Sequence, residues 1–529
     1  MPNGFTKRRN YEMKIAFRVD ASIDIGTGHV YRCLTLAKRL HDLNHHCVFV
    51  CKDLVSNLIE FIQKASFEVK VINSQTQPQH FDSIEIKLAH SCWLQGSQIE
   101  DAESFIALFS NTDFPEMVIV DHYALDSVWE NKLKDAFNPI LMVIDDLCDR
   151  KHNCDFLLDQ TFSRNAEEYA SFVNSDTSLL LGTKYSLLRD EFLKLRNNAL
   201  RKRRATINPK KLIITMGGVD QNNFSLKFIN LLYFANLLDK FSVTLVIGAQ
   251  SPFKDSLIKC CNQLNVNVII NANNMSELML ENDVAIGAMG GTTWERSVLA
   301  LPTLNIEIAD NQSDIAQRLS RIGILTSKAS DIDVHQLEVY LNKIVSDYQN
   351  YVSLVANICD GLGVERVIQH LFPINNKIDE NITLLLAQND DIKFIFDLQQ
   401  QPETRRYARN KNVPVWAEHE KWMAQKIEDP NCYFYIIHCE ESKVGSLRID
   451  KIADYSNNRT YEISIFVDPV YFGKSIASAA LKRLLFLHRN KDFLATVLEG
   501  NQASHGLFKK LGFDKQSETQ YFHKGIYDC

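Results

Sequence analysis

A histidine follows a glycine-rich turn where the first strand of the chain is expected to end. The segment DIGTGH (24–29) comes directly after KIAFRVD, and Gly26 and Gly28 permit positive φ angles and close approach of a ligand to the backbone. A helix is expected to begin near His29, so that backbone N–H groups at its start face the same crevice. An imidazole at this position either caps and packs the helix start or acts as a general base towards water.

Two further glycine turns follow expected strands of a second sheet. The first, in ITMGGVDQNN (214–223), has Gly217 and Gly218 at the strand end. The second lies in AIGAMGGTTWERSVLALPTLNIEIADNQ (285–312), whose turn and helix start consist of Gly290, Gly291, Thr292 and Thr293. N–H groups and hydroxyls at a helix N-terminus suit a diphosphate. Glu295 either accepts hydrogen bonds from both ribose hydroxyls or is a favourable charge in the first helical turn.

Short apolar runs alternate with helical segments up to about residue 370, which predicts parallel sheets covered on both faces. The expected strands include KIAFRV (14–19), CVFV (47–50), MVIV (117–120) and LMVI (141–144) in a first sheet, and KLIIT (211–215), VTLVI (243–247), NVII (267–270) and VAIG (284–287) in a second. The polar, basic stretch 196–211 has no apolar face and is expected to be a solvated connection between the sheets. Beyond 372–381, strands at hairpin spacing followed by helices indicate a third, α+β domain.

The composition excludes several classes of function. The 529 residues are 45% hydrophobic and 23% charged, as in an ordinary globular protein, and the net charge of −7 argues against a nucleic-acid partner. No apolar run approaches the ~18 residues of a membrane span, and no secretory signal is recognisable. The 12 cysteines have no repeated spacing, so that reduced thiols in a cytoplasm and no metal site are expected.

Four segments carry a resemblance to a known family. In order they are FRVDASIDIGTGHVYRCLTLA, VIDDLCDRKHNCDFLLDQ, TMGGVD and AIGAMGGTTWERSVLALPTLNIEIADNQ, and together they resemble the UDP-sugar hydrolases of pseudaminic acid biosynthesis over about residues 13–365. The resemblance implies a two-domain architecture like that of GT-B glycosyltransferases. It also implies hydrolysis of UDP-2,4-diacetamido-2,4,6-trideoxy-β-L-altropyranose to the free sugar and UDP.

The same resemblance implies roles for individual residues. His29 matches the family's catalytic histidine, which would activate water for attack on the anomeric carbon with inversion. The substrate contacts implied on the UDP side are Gly217, Gly290, Gly291, Thr292, Thr293 and Glu295. Those implied on the sugar side are Asp20, Gly26, Gly28 and Asn311. Asp121 and His122, at the end of another strand, are candidates for sugar contacts or for a structural role.

The last part of the chain has its own signature. YEISIFVDPVYFGKSIASAALKRLL reads as a strand, a turn and a long helix, and VLEGNQASHGLFKKLGF supplies an asparagine before another helix. This resembles the GNAT acetyltransferases, in which backbone N–H groups of the turn hold the acetyl-CoA pyrophosphate. That family's pattern is Gln or Arg, two spacers, Gly, one spacer, then Gly or Ala. This sequence has Phe472, Ser475 and Ala477 there, with Gly473 inside the spacer, so that two of three positions depart from the pattern.

Other positions of the acetyltransferase resemblance are matched unevenly. Glu462 either deprotonates an incoming amine through water or is an exposed strand carboxylate. Asn501 matches the asparagine that contacts the cofactor arm, whereas Phe508 stands where many relatives have a tyrosine that protonates the leaving thiolate. The arginines of TRRYARN either meet substrate phosphates or form a solvated helix face; they are Arg405, Arg406 and Arg409.

These observations predict an α/β protein with two doubly wound Rossmann-like domains in a GT-B architecture, followed by an α+β GNAT domain. The expected division is a disordered extension (1–12), a sugar-side domain (13–200), a UDP-binding domain (201–370), a linker (371–380) and an acetyltransferase domain (381–529). The predicted function is N-acetylation of a UDP-4-amino sugar by acetyl-CoA and hydrolysis of the product to diacetamido sugar and UDP, for a nonulosonic acid used on flagellin or surface glycan.

The alternatives are a monofunctional hydrolase with a degenerate acetyltransferase domain, a GT-B glycosyltransferase, or a 2-epimerase acting on another UDP-amino sugar. A purely binding role for the chain would require that hydrolysis be undetectable. The sequence predicts no membrane or nucleic-acid partner, and it does not determine the oligomeric state.

Overall fold

The computed structural model describes residues 12–73, 88–110, 112–249, 251–372, 382–429, 431–440, 442–452, 459–488 and 491–525. The chain divides into two compact units, one up to Val364 and one from Glu365 onwards, with residues 200–202 assigned to the second. The extension predicted for residues 1–12 and the linker predicted for residues 371–380 lie for the most part outside the described residues.

The first sheet of the first unit is parallel throughout. Its strands are β1 (Lys14–Val19), β2 (His46–Lys52), β3 (Glu68–Ile72), β4 (Met117–Asp121), β5 (Ile140–Ile144), β6 (Phe156–Asp159) and β7 (Ser178–Leu181). Their order is β3-β2-β1-β4-β5-β6-β7, so that the direction of strand addition reverses between β1 and β4. All residues of β4 are buried, as expected for strands covered on both faces.

Four helices accompany the first sheet: α1 (Gly28–His41), α2 (Ile59–Lys64), α3 (Gln98–Ala107) and α4 (Ser127–Phe137). Helix α1 buries residues at helical spacing, among them Val30, Leu34 and Ala37. Phe105 of α3 and Trp129 of α4 pack edge to face, with ring centroids 5.4 Å apart, in the core beside the sheet. This packing fixes the helices that frame the carboxyl ends of the strands.

The predicted solvated connection at residues 196–211 is wrong. A helix, α5 (Asp190–Ala205), covers most of it, and two of its arginines are buried. Arg203 donates to the backbone oxygens of Leu299, Asn282 and Met279 at 2.6–2.7 Å. Arg196 likewise donates to three backbone oxygens. The helix therefore buries charge through hydrogen bonds to carbonyls, beside the apolar side chains of Phe192, Leu195 and Ala199 that pack into the core.

The second sheet is also parallel. Its strands are β8 (Lys211–Thr215), β9 (Ser242–Ile247), β10 (Asn267–Ile270), β11 (Val284–Ala288), β12 (Thr303–Glu307) and β13 (Thr326–Lys328), in the order β10-β9-β8-β11-β12-β13. The helices that follow α5 are α6 (Phe224–Phe234), α7 (Lys254–Gln263), α8 (Met275–Glu281), α9 (Gly291–Val298), α10 (Ser313–Arg321), α11 (Val334–Ser346), α12 (Tyr348–Ala356) and α13 (Gly363–Leu371). The strand order reverses between β8 and β11. The predicted α/β fold with parallel sheets is thus confirmed.

The second unit contains a mixed sheet. Its strands are β14 (Ile382–Leu386), β15 (Cys432–Cys439), β16 (Ser442–Lys451), β17 (Thr460–Val467), β18 (Asp492–Thr496), β19 (Asp514–Lys515) and β20 (Gln520–His523). Their order is β14-β15-β16-β17-β18-β20-β19, and the β17–β18 pair is parallel whereas the others are antiparallel. Its helices are α14 (Ile392–Gln400), α15 (Pro402–Arg405), α16 (Trp416–Glu428), α17 (Ile476–Leu487) and α18 (Gln502–Lys510).

None of the described helices is both long enough and apolar enough to cross a bilayer.

Arg203→Met is expected to lower the free energy of unfolding by about 3 kcal/mol, because three buried carbonyl oxygens lose a charged donor. Equilibrium urea unfolding of the full chain, followed by circular dichroism, measures the change. Lys194→Met removes a charge from an exposed position of the same helix and should cost less than about 0.5 kcal/mol. Equal effects of the two substitutions would contradict the role given to Arg203.

Candidate active sites

His29 lies at the second position of α1, beyond the carboxyl end of β1. Between the two elements the chain makes a tight turn, in which Ser22 and Gly26 form an isolated antiparallel bridge. Gly26 has a φ of +79°, which a residue with a side chain rarely adopts. The turn places the ring of His29 at the edge of the sheet, with 8% of the residue exposed.

The imidazole of His29 is oriented by Asp121, the last residue of β4. Because β1 and β4 are neighbouring parallel strands, Asp121 reaches the same sheet edge as the glycine turn. Nδ1 of His29 lies 2.6 Å from Oδ1 of Asp121. An ionised carboxylate only accepts hydrogen bonds, so that Nδ1 donates to Asp121 and Nε2 is the nitrogen left to accept a proton. The pair has the arrangement of a general base whose tautomer is set by a carboxylate.

Arg32 keeps Asp121 ionised. Its Nε and Nη2 donate to the two carboxylate oxygens of Asp121, both at 2.6 Å. Burial alone would raise the pKa of Asp121, but Arg32 and His29 hold that pKa well below its usual range. Arg32 also pairs with Asp146, and the hydroxyl of Tyr123 donates to Asp146 at 3.0 Å. Two carboxylates therefore share one guanidinium beside His29.

Aromatic rings line one side of the imidazole of His29. The ring of Tyr123 meets it edge to face, with centroids 4.7 Å apart. Trp93 lies parallel to Tyr123 with centroids 5.8 Å apart, and His90 contacts Trp93 at 4.3 Å. Because burial lowers the pKa of His90, this ring is neutral at pH 7. The cluster presents an apolar surface next to the candidate base.

The prediction that Asp20 contacts the sugar is wrong. Its side chain is fully buried, and Oδ1 accepts from Nη1 of Arg18 at 2.6 Å and from the backbone N–H of Lys52 at 2.7 Å. Nε2 of His122 lies 3.3 Å from Oδ2 of Asp20. The backbone N–H of Ala124 donates to Nδ1 of His122, so that the ring proton is on Nε2 and faces Asp20. Asp20 and His122 therefore connect strands β1, β2 and β4, which is the structural role left open for His122.

The glycine turns of the two sheets approach each other within the first unit. A Cβ atom added at Gly218 would lie 3.8 Å from Oγ1 of Thr27, the residue between the first two glycines. Nε2 of Gln221 donates to the backbone oxygen of Ile23 at 3.4 Å. Gly217, with a φ of +90°, is exposed beside this contact. The carboxyl ends of β1 and β8 thus border the same space.

The turn before α9 is open on one side. A Cβ atom added at Gly290 or Gly291 would meet nothing within 4 Å, and the first N–H groups of a helix have no partner within it. Thr292 is partly exposed at this helix start. Thr293 is buried, and its Oγ1 accepts from the N–H of Gly290 and from Arg296, both at 3.2 Å. The prediction that Thr293 contacts the substrate directly is therefore wrong, because its hydroxyl closes the turn.

Glu295 and Asn311 lie further along this part of the chain. Oε1 of Glu295 is 3.2 Å from Nη2 of Arg189, and 14% of the Glu295 side chain is exposed. Burial raises the pKa of Glu295, although Arg189 opposes the shift. Asn311 is exposed in a short 3-10 turn and, among the described residues, bonds to none of the other predicted site residues. Within the described parts of the chain, no group of three or more His, Cys, Asp or Glu side chains is arranged to hold a metal ion.

In the second unit, an exposed turn joins β17 to α17. Gly473 has a φ of +77° and Ser475, directly before the helix, has a φ of +59°. Phe472 is 56% exposed, and Ala477 lies in the first turn of α17. Backbone N–H groups at the start of this helix are thereby presented to solvent beside the end of β17.

Glu462, on β17, is paired with a cation. Nη2 of Arg409 makes a short ion pair with Oε1 of Glu462, and its Nη1 donates to Oε2 at 3.2 Å. The hydroxyl of Thr496 also donates to Oε1 at 2.9 Å. Burial opposes the change, but these two partners lower the pKa of Glu462. The carboxylate is therefore ionised, with a guanidinium bound across both oxygens.

Two other residues of this unit have internal partners. Oδ1 of Asn501 accepts from the N–H of Ser504 at 3.2 Å and so caps helix α18. Phe508 is buried and packs against Phe513 and Tyr521. The side chain of Phe508 has no hydroxyl, so it cannot take the role of the tyrosine found at this position in many relatives.

Sequence reasoning missed Arg32, Tyr123 and Arg296 as parts of these sites. Arg32 follows His29 by three residues on one helix, and such spacing places two side chains on one face. That spacing was a usable signal for a partner of His29. The position of Arg296, by contrast, depends on which strands lie beneath α9.

Arg32→Met should lower the free energy of unfolding at pH 7 by about 3 kcal/mol, because Asp121 and Asp146 lose their shared cation. In the native protein the depressed pKa of Asp121 contributes stability that is fully present above the ordinary aspartate pKa of about 3.9. That stability is lost only as the pH falls through the depressed pKa. Without Arg32, burial raises the pKa of Asp121, so that its protonation should make the stability of the variant approach that of the wild type as the pH falls from 7 to 5. Urea unfolding of both proteins at the two pH values measures this difference in the free energy of unfolding.

The control for this measurement is Lys38→Met, at an exposed position of the same helix, which should change stability little at either pH. A deficit of Arg32→Met that is the same at pH 7 and at pH 5 would show that the lost packing, and not the buried charge, causes the destabilisation.

Comparison with known proteins separates the same two parts of the chain. Residues 393–513 match the model of the acetyltransferase (GNAT) family. An uncharacterized protein of Methanocaldococcus jannaschii is 24% identical over 95% of this chain and 97% of its own length. The UDP-2,4-diacetamido-2,4,6-trideoxy-β-L-altropyranose hydrolase of Campylobacter jejuni is 26% identical over 59% of this chain and 97% of its own length.

Among solved structures, MurG of Acinetobacter baumannii aligns with 68% of this chain and 99% of its own, at 11% identity and a TM-score of 0.48. The resemblances predicted from the sequence are confirmed by the family and sequence matches. The chain joins a region similar to a UDP-sugar hydrolase to a C-terminal region that matches the GNAT acetyltransferase family.

Proposed function

We propose that the first unit hydrolyses UDP-2,4-diacetamido-2,4,6-trideoxy-β-L-altropyranose to the free sugar and UDP. The observation that carries the proposal is the His29–Asp121 pair, which lies beside a turn that approaches the glycine turn of the second sheet. In this proposal residues 13–200 and 201–370 are two Rossmann-like domains in a GT-B arrangement, with the sugar against the first and UDP against the second. The similarity to the Campylobacter jejuni hydrolase supports the choice of substrate.

His29 acts as the general base. Its Nε2 takes a proton from water while the water oxygen forms a bond to C1 of the sugar and the bond from C1 to the diphosphate oxygen breaks. Because water attacks opposite to UDP, the configuration at C1 inverts, and the β-linked substrate gives the α-anomer first. Asp121 stabilises the imidazolium that forms, and Arg32 keeps Asp121 in place for this role.

UDP leaves towards the N-terminus of α9. The Gly290 N–H bonds to Thr293, but the free N–H groups at the start of α9 and the hydroxyl of Thr292 lie at the open side of the turn. They stabilise the diphosphate, so that no strong general acid is required. Glu295 accepts hydrogen bonds from the ribose, with Arg189 holding its carboxylate. On the sugar side, the rings of Trp93 and Tyr123 cover the apolar face of the pyranose.

In the second unit, residues 381–529, the proposed reaction is transfer of acetyl from acetyl-CoA to the 4-amino group of the UDP-sugar. The turn with Gly473, Ser475 and Ala477 would hold the pyrophosphate of acetyl-CoA through its N–H groups, and Asn501 the pantetheine arm. Glu462 would accept the proton of the amine, through water, as the nitrogen forms a bond to the acetyl carbon. The C–S bond of the thioester would break, and CoA would leave as a thiolate that takes a proton from solvent. The product of this step is the substrate of the first unit, and the sugar would enter nonulosonic acid synthesis.

A second candidate function, a hydrolase with an inactive acetyltransferase domain, is favoured by two observations. Arg409 occupies both oxygens of Glu462, and Phe508 supplies no proton donor for the thiolate. A glycosyltransferase or a 2-epimerase would share the glycine turns but would release no free sugar in the absence of an acceptor.

His29→Gln should lower kcat for hydrolysis of the diacetamido UDP-sugar by about 1,000-fold, because water loses its base. The test incubates the purified full chain with its substrate and detects UDP and free sugar by NMR. The α-anomer should appear first. His41→Gln, at an exposed position of the same helix, is the control and should leave kcat unchanged. No release of free sugar by the wild-type protein would overturn the hydrolase proposal.

The acetyltransferase proposal predicts that the wild-type chain converts the UDP-4-amino sugar to free diacetamido sugar only when acetyl-CoA is added. Glu462→Gln should lower the rate of acetylation by about 100-fold and leave hydrolysis of pre-acetylated substrate unchanged. Glu499→Gln, an exposed carboxylate of the same unit, should change neither rate. Hydrolysis of pre-acetylated sugar without any acetylation would instead establish the inactive-domain alternative.

A further inference from the structure

Arg296 is a buried cation whose hydrogen-bond partners are all neutral. The residue is 1% exposed, and its guanidinium donates to Ala288 O at 3.0 Å and to Oδ1 of Asn305 at 3.2 Å, besides two threonine hydroxyls. Within the described part of the chain, no carboxylate lies within ion-pair distance of it. Burial lowers the pKa of Arg296 to about 10, so that it remains charged at neutral pH. The carboxylate of Glu295 favours the charged form of Arg296 without a direct ion pair, and a guanidinium buried in this way is costly.

The guanidinium lies where the strand order of the second sheet reverses. Gly287 of β11 pairs with Thr215 of β8 at this place. A Cβ atom added at Gly287 would lie 2.7 Å from Cζ of Arg296 and closer still to Nη1. Glycine at position 287 therefore leaves room for the guanidinium of Arg296. In open parallel sheets the crevice beyond this reversal is where ligands bind.

A hydroxyl group connects the guanidinium of Arg296 to the open side of the turn. Nη1 of Arg296 donates to Oγ1 of Thr292 at 3.2 Å, and Nη2 donates to Oγ1 of Thr293 at 3.2 Å. A guanidinium has no acceptor, so that each hydroxyl receives a hydrogen bond from it and directs its own proton elsewhere. Thr292 is partly exposed beside Gly290 and Gly291, where a Cβ atom would meet open space. Its proton is therefore available to an anion at the start of α9.

We infer that Arg296 is a positioning residue that polarises the Thr292 hydroxyl towards the diphosphate of a bound nucleoside diphosphate. This inference rests on the proposed function and extends it to a residue behind the binding turn. The charge is held out of water and does not contact the ligand, so that it strengthens the donors of the turn at no cost of reordering when the ligand binds. Loss of this charge should therefore weaken the binding of a nucleoside diphosphate but not the binding of the nucleoside.

The test is calorimetric titration of the full-length chain with UDP and with uridine. Arg296→Met should weaken UDP binding by about tenfold or more, the value of a charge-assisted contact, and change uridine binding by less than about twofold. Arg296→Lys, which keeps the charge, should restore part of the UDP affinity. Arg321→Met, which removes an exposed charge from α10, is the control and should change neither affinity.

Equal loss of UDP and uridine binding in Arg296→Met would show a merely structural role and overturn the inference, as would unchanged UDP binding. If Arg296→Met does not fold, Thr292→Val decides, because it removes the hydroxyl and retains the charge. Its UDP affinity should fall several-fold while uridine binding is kept, and an unchanged UDP affinity would overturn the inference. Absence of UDP binding by the wild-type chain is a different result, which would overturn the proposed function itself.

Discussion

The guanidinium of Arg32 keeps the buried carboxylate of Asp121 ionised, and the orientation of His29 follows from that charge. Asp121 reaches the imidazole because β4 pairs with β1, but position alone does not make a base. A protonated Asp121 would donate to Nδ1 and leave the ring proton on Nε2, which could then no longer accept a proton from water. The charge balance around Asp121 therefore determines which nitrogen of His29 is basic.

Different charged groups lie at the strand ends where the order of each sheet reverses. At the first sheet Asp121 and Asp146 share the guanidinium of Arg32 beside His29. At the second sheet Arg296 has only neutral acceptors. When a bond between a sugar carbon and a phosphate oxygen breaks, positive charge develops on the carbon and negative charge on the leaving group. The separation of buried charges between the sheets matches that polarity.

Much of the fold followed from the sequence, because buried parallel strands are continuous apolar runs and glycine turns mark their ends. The first failure was α5, in which the buried Arg196 and Arg203 satisfy backbone carbonyls and only part of the buried side is apolar, at Phe192, Leu195 and Ala199. The second was Asp20. Arg18 precedes it by two residues, on the same face of a strand buried on both faces, and such a pair indicates an internal salt bridge. The role of Asp121 required the strand order, which composition and periodicity do not reveal.

The departures of the second unit from the acetyltransferase pattern affect the side chains more than the backbone. Ser475 stands where the pattern has glycine, yet it adopts a φ of +59°, the conformation that glycine favours. A non-glycine residue held there costs about 1 kcal/mol, so that the surrounding turn enforces the shape. The N–H groups that depend on this shape remain at the start of α17. The loss of glycine at this position is therefore a weaker argument against cofactor binding than Phe508, since a missing hydroxyl cannot be replaced by backbone geometry.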